Sequence, residues 1–156
     1  MEYAKCLLRL QRLCSRAEYC SGDIYRKALK DLEGDAEAAA RVVAELKGDR
    51  YVDDARYAAA FAREKASLQG WGPVKIRFQL RGKGVSDADI ASALAEVDTE
   101  KADARLERLL EEKGRSLEGD PQRKLKLIKY ALSRGYDYEK IATFVARMAG
   151  RSVAEP

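Results

Sequence analysis

Histidine is entirely missing from this sequence of 156 residues. Its absence excludes a Ser-His-Asp triad, a Cys-His dyad and a metal site with histidine ligands, and with them most hydrolase mechanisms. A run of about 18 apolar residues is also missing, and the N-terminus lacks the apolar segment of a signal peptide. These absences predict a soluble, cytoplasmic protein without a membrane span.

Cysteine is scarce, and its three copies are Cys6, Cys14 and Cys20. An odd number crowded at one end is typical of reduced thiols and not of a disulfide framework. Zinc usually needs four ligands at a tighter Cys spacing, and no histidine is present to complete a set. We therefore predict small buried or half-buried thiols, no metal and no cofactor.

Proline is also rare, with three copies, and the alternation of polar and apolar residues typical of strands is absent. Apolar residues instead recur at helical spacing, as at Ile90, Leu94 and Val97. The sequence therefore predicts an all-α fold. Helix starts are predicted from the N-caps Asp35, Ser86 and Asp137, and from prolines in first turns, Pro73 and Pro121.

An internal repeat organises the chain. A shift of 51 positions superposes Lys83-Gly84 on Arg134-Gly135 and Ile90 on Ile141. Each repeat has a long helix, a short basic helix and a third helix, and such units in a row predict an elongated tandem of three-helix repeats. The predicted division comprises three units and a tail, at 1–53, 54–98, 99–150 and 151–156.

Two stretches, 65–86 and 121–136, have five basic residues each and no acidic residue. They contain the short basic helices of the repeats. A single basic helix of this kind is explained as an ordinary solvent-exposed helix face. Two at matching positions favour a continuous positive surface that faces nucleic-acid phosphate or an acidic protein groove. The candidate binding residues on this surface are Lys75, Arg77, Phe78, Arg81, Lys83, Lys126, Lys129 and Arg134.

Two aromatic residues belong to the first of these stretches. Phe78 is predicted to lie roughly opposite the Ile76–Leu80 face of its helix, where it either binds a partner or base, or packs on a neighbouring helix of the chain. Both explanations stay open. Trp71, between two glycines, is predicted to fill a junction between helices.

Adjacent carboxylates at Asp53 and Asp54 raise the alternative of a metal-dependent nuclease or transferase. Asp53 stands where a helix needs an N-cap, so capping is the favoured explanation. The Gly70-Trp71-Gly72 sequence is not a phosphate-binding loop, because Trp71 is bulky and no strand precedes it.

The order of these motifs resembles that of the RecX family, bacterial regulators of the RecA recombinase. The resemblance rests on 51–58 (YVDDARYA), Phe61, 70–73 (GWGP), Ile76, Leu80, 83–85 (KGV), Ile90 and 93–94 (AL). It implies a tandem of three-helix repeats, basic on one side, that lies in the groove of the RecA–single-stranded-DNA filament.

The function that the resemblance implies is inhibition of ATP hydrolysis and strand exchange by that filament, and thus a role in recombination, DNA repair and the SOS response. It implies a non-enzymatic monomer that also contacts single- or double-stranded DNA. It supplies no catalytic residues. The alternative function is a stand-alone helical nucleic-acid-binding module.

Overall fold

The computed structural model describes the backbone of residues 1–154 and the side chains of residues 1–150. Within this part of the chain the fold is all-α, as predicted, and contains no strand. The helices are α1 Tyr3–Arg16, α2 Ser21–Asp31, α3 Ala36–Gly48, α4 Asp54–Ser67, α5 Pro73–Gly82, α6 Asp87–Ala95, α7 Thr99–Ser116, α8 Arg123–Ser133 and α9 Tyr138–Ala154.

The predicted N-caps are confirmed. Asp35 Oδ1 accepts a hydrogen bond from the amide of Ala38 at 3.1 Å, and Ser86 Oγ accepts one from the amide of Asp89 at 3.2 Å. Asp137 Oδ1 accepts one from the amide of Lys140 at 3.4 Å. Each side chain satisfies an amide that the helix itself leaves without a partner.

Of the two helix starts predicted from prolines, one is confirmed and one is wrong. Pro73 begins α5, as expected, but the prediction for Pro121 is wrong, because α8 begins two residues later at Arg123. Turns precede this helix: the amide of Asp120 donates to the carbonyl of Leu117 at 3.0 Å, and Asp120 accepts from the amide of Gln122 at 2.8 Å. Pro121 therefore belongs to the turn.

Two compact units are separable. Unit 1 comprises Met1–Phe61 and Gln79–Leu94, and unit 2 comprises Ala62–Phe78 and Ala95–Pro156. These limits fall inside α4 and α5, so the division of the chain into three units by sequence stays a prediction. Helix α9 continues to Ala154, into the predicted tail, and residues 155–156 lie outside the described residues.

Each unit has its own apolar core built from three packed helices. In unit 1, α1, α2 and α3 bury a cluster of side chains at helical spacing: Cys6, Leu10, Ile24, Ala28, Ala39, Val42, Leu46 and Val52. In unit 2, α7, α8 and α9 bury Leu106, Leu110, Leu127, Ala131, Tyr136, Ile141, Phe144 and Val145. The helical periodicity of the sequence thus marks the buried faces.

The three thiols are free; Cys6 and Cys20 are buried and Cys14 is half-buried. Burial is the main cause that raises the pKa of each thiol. Over the described residues, no group of three or more His, Cys, Asp or Glu side chains is placed to hold a metal ion. No helix in that part of the chain is long and apolar enough to span a membrane.

Candidate functional site

The start of α5 docks onto the turn after α8 within unit 2. The amide of Gly72 donates to the carbonyl of Arg134, and the amide of Val74 donates to the carbonyl of Gly135, both at 2.9 Å. A Cβ on Gly72 would lie 2.3 Å from that Gly135 oxygen. Only glycine allows the two backbones to approach so closely.

Trp71 is half-buried at this junction, between two lysines. Lys75 Nζ lies 4.3 Å from the centroid of the indole ring and Lys65 Nζ lies 4.9 Å from it. A cation over an aromatic face is attracted by the ring quadrupole, so both lysines help to hold the indole. Lys75, predicted as a binding residue, therefore also has a structural contact.

Arg134 likewise supports the junction. Its Nη2 donates to the carbonyl of Gln69, and its own carbonyl accepts the Gly72 amide. Lys75 and Arg134, which come from different repeats of the sequence, are thus brought to one place. Both side chains are half-buried, so neither is a freely exposed contact.

Lys83 has a comparable role in unit 1, at the start of α2. Its Nζ donates to Asp23 Oδ2 at 3.1 Å, and a Cβ on Gly22 would lie 2.6 Å from the Lys83 carbonyl oxygen. Burial alone would raise the pKa of Asp23, but hydrogen bonds from Arg26, Lys83 and Cys20 outweigh it and hold that pKa below its ordinary value. Lys83 is therefore part of the fold as well as a candidate binding residue.

The lowered pKa of Asp23 predicts that the folded protein loses stability as the pH falls. A carboxyl group whose pKa is lowered on folding stabilises the protein above its unfolded pKa, near 3.8, and this contribution is lost as the pH falls through the folded pKa. The urea midpoint of the parent should therefore fall more steeply than that of Asp23→Asn between about pH 5 and pH 2. Asp87→Asn, which removes an exposed carboxylate, is the control, and parallel curves for parent and Asp23→Asn would contradict the assignment.

The exposed residues of α5 point away from its buried face. Ile76 and Leu80 are buried, whereas Phe78 is 73% exposed. Packing of Phe78 within the chain, one of the two explanations left open, would leave most of its ring uncovered. Arg81 is exposed and pairs with Asp87 at 3.1 Å, and Arg77 is half-buried.

Helix α8 presents basic and apolar residues together. Lys126 Nζ pairs with Asp120 Oδ2 at 2.5 Å, and Lys129 is exposed. Leu125 and Leu132, which lie on the same side of the helix as Lys129, are exposed too. The two leucines thus add exposed apolar surface beside the positive charge of Lys129.

Sequence reasoning missed a third acid-free helix, α1. Between Tyr3 and Ala17 the chain has four basic residues and no acid, and Lys5, Arg9, Arg12 and Arg16 line a shallow groove of about 350 Å³. The groove also contains Leu8, which is exposed. The criterion that identified α5 and α8 would have found this helix if it had been applied to the N-terminus.

The adjacent carboxylates have structural partners. Asp53 Oδ1 accepts a hydrogen bond from the amide of Arg56 at 3.0 Å, as an N-cap does. Asp54 accepts from the amide of Ser21 at 2.7 Å and from its hydroxyl at 2.5 Å. Asp53 therefore caps α4, and Asp54 joins α4 to α2.

The fold and the motifs match those of known proteins. The family model described as RecX, second three-helix domain, matches residues 53–94. A regulatory protein RecX from Oceanobacillus iheyensis is 31% identical over 122 residues, which are 77% of this chain and 45% of that relative. A crystal structure of a regulatory protein RecX superposes with a TM-score of 0.81 at 26% identity and covers 91% of this chain and 70% of its own.

The chain belongs to the RecX family. Another RecX relative, from Escherichia coli strain SE11, is 28% identical over 148 residues and 89% of each chain is covered. The crystal structure of RecX from Lactobacillus salivarius, at 18% identity and a TM-score of 0.81, supports the fold. The chain spans less than half the length of the Oceanobacillus RecX. The segment 53–94 that matches the RecX model contains the exposed Phe78 and the glycine junction at Gly72.

Proposed function

We propose that this protein binds the RecA–single-stranded-DNA filament and inhibits its ATP hydrolysis and strand exchange. The observation that carries the proposal is the exposure of Phe78 on an acid-free helix, inside the segment that matches the RecX family. A large exposed aromatic between arginines is typical of the residues that dominate the binding energy of protein interfaces.

The contact that we propose uses the exposed sides of α5 and α8. Arg77, Phe78 and Arg81 form the contact on α5, and Lys126 and Lys129 form it on α8. Lys75, Lys83 and Arg134 contribute positive charge while they also hold the junctions described above. Their charges steer the negatively charged filament and raise the association rate, whereas Phe78 supplies apolar contact.

Regulation by binding, without catalysis, is the activity that we propose for this surface. Asp53 and Asp54, the residues of the nuclease alternative, are already occupied by capping and by hydrogen bonds to Ser21. A magnesium-dependent nuclease assay on single-stranded DNA is therefore expected to show no activity. Because the proposed partner assembles on bacterial DNA, we place the protein in the cytoplasm.

Co-sedimentation with RecA filaments assembled on single-stranded DNA tests the proposal. The double variant Arg77→Ala/Arg81→Ala is expected to bind the filament about tenfold or more weakly, because each arginine loses a hydrogen bond to a charged or polar partner. The salt dependence of binding should also flatten, since fewer counterions are displaced. Inhibition of the filament's ATPase should weaken in parallel.

The matched control is Lys47→Ala/Lys101→Ala, which removes the same charge from exposed positions outside α5 and α8. Filament binding equal to that of the parent is expected for this control. Equal binding by the arginine variant at every salt concentration would contradict the proposed contact. Equally tight binding of the parent to bare single-stranded DNA would instead support the stand-alone nucleic-acid-binding module.

A further inference from the structure

A cleft of about 410 Å³ lies between α7 and α8 of unit 2 and is lined by four basic side chains and one acid. The basic residues are Arg105, Arg108, Lys113 and Arg134, and the acid is Glu112. Three of these cations come from α7, a helix that carries both signs of charge along its length and was not recognised as basic from the sequence. The fold thus brings together basic residues that are separated along the sequence.

Two guanidinium groups in this cleft are incompletely satisfied. The Nε atoms of Arg105 and Arg134 are buried, and neither has a hydrogen-bond partner among the described residues. Neither arginine is in an ion pair within that part of the chain, although Arg134 reaches the carbonyl of Gln69 through its Nη2. A partly desolvated cation without an anion is costly, so an anion bound in the cleft would stabilise both groups.

Tyr136 marks the place where the two guanidinium groups converge. Its hydroxyl donates to the carbonyl of Gly70 at 2.9 Å. Burial raises the pKa of Tyr136, and the charges of Arg105 and Arg134 act in the opposite direction, as expected of two cations near one phenol. The cleft therefore has an excess of positive charge beside a tyrosine hydroxyl that is held by its hydrogen bond to Gly70.

The rim adds an aromatic surface. Lys113 Nζ lies 4.9 Å from the centroid of the Tyr130 ring, and Tyr130 itself is partly exposed. Planar guanidinium groups bind phosphate oxygens in pairs, and an aromatic ring beside such groups allows a nucleobase to stack. A carboxylate would satisfy the charge, but it would make no use of the ring.

We propose that this cleft binds a phosphoryl group of a nucleotide, with the adjoining base stacked on Tyr130. The phosphoryl oxygens accept hydrogen bonds from Arg105 and Arg134, and Arg108 and Lys113 add charge at the rim. The nucleotide is either one unit of a single-stranded nucleic acid or a free nucleoside triphosphate. This site shares Arg134 with the proposed filament contact and includes Tyr130 of α8, but its other three cations come from α7. It binds in the absence of any filament.

Titration with three probes tests the site: a fluorescent single-stranded oligothymidylate, ATP and inorganic phosphate. The double variant Arg108→Gln/Lys113→Gln is expected to weaken binding of the preferred probe by at least about tenfold. The control Lys101→Gln, an exposed lysine of α7 outside the cleft, should change it by less than about twofold. Tyr130→Ala should weaken the oligothymidylate or ATP but not phosphate.

The two nucleotide sources are distinguished by the preferred probe. Tighter binding of the oligothymidylate indicates a nucleic-acid backbone, and tighter binding of ATP indicates a free nucleotide. No saturable binding of any probe, or the same loss in Lys101→Gln as in the double variant, would overturn the proposal. Because the probes are used without RecA, this failure is separable from a failure of filament co-sedimentation.

Discussion

Replacing Gly72 with alanine is expected to destabilise unit 2 by about 2–4 kcal/mol. The new Cβ would lie 2.3 Å from the carbonyl oxygen of Gly135 and 2.4 Å from its carbonyl carbon. Both are backbone atoms, so the clash is relieved only if α5 moves away from the turn after α8. That movement breaks the two 2.9 Å hydrogen bonds that the amides of Gly72 and Val74 donate.

Urea unfolding measures this effect, and Gly82→Ala, at the opposite end of α5 from Gly72, is the control. A Cβ on Gly82 meets nothing within 4 Å. Alanine in a helix is favoured over glycine by up to about 1 kcal/mol, so the control should be neutral or stabilising. A Gly72→Ala protein as stable as the parent would show that the two backbones do not approach as described.

Leu80→Ala is expected to cost about 2–5 kcal/mol of stability, because Leu80 is fully buried and its truncation leaves a cavity. Phe78→Ala, two residues earlier in α5, is expected to change stability by less than about 0.5 kcal/mol, because most of the ring is exposed. The two substitutions thus separate packing from binding within one helix. Urea unfolding gives the stability, and co-sedimentation with the filament gives the binding.

The proposed contact also predicts how the same two substitutions change filament binding. Phe78→Ala should weaken filament binding by about 2 kcal/mol or more, as for a central aromatic residue of an interface. Leu80→Ala, measured at a temperature where the protein remains folded, should retain most of its binding. A large loss of stability for Phe78→Ala would instead indicate that the ring packs within the chain.

The helices and their starts were predictable because the physical causes are local. Apolar spacing selects the buried face of each helix, and Asp35, Ser86 and Asp137 satisfy amides two or three residues away. Pro121 misled the prediction because proline suits a turn as well as a first helical residue. The position of Phe78 opposite two apolar residues of its helix was predictable, but its exposure was not, because a neighbouring helix could have covered the ring.

The sequence by itself determined the all-α fold, the repeated basic helices and the likeness to RecX, since these follow from the order of residues along the chain. Only the tertiary structure decided that Lys75, Lys83 and Arg134 hold junctions between segments and that Arg105 meets Arg134 in one cleft. Lys83 is 60 residues from Asp23, and Arg134 is 65 residues from Gln69. Local periodicity carries no information about such pairs, because their distance is set by how the helices pack and not by spacing within one helix.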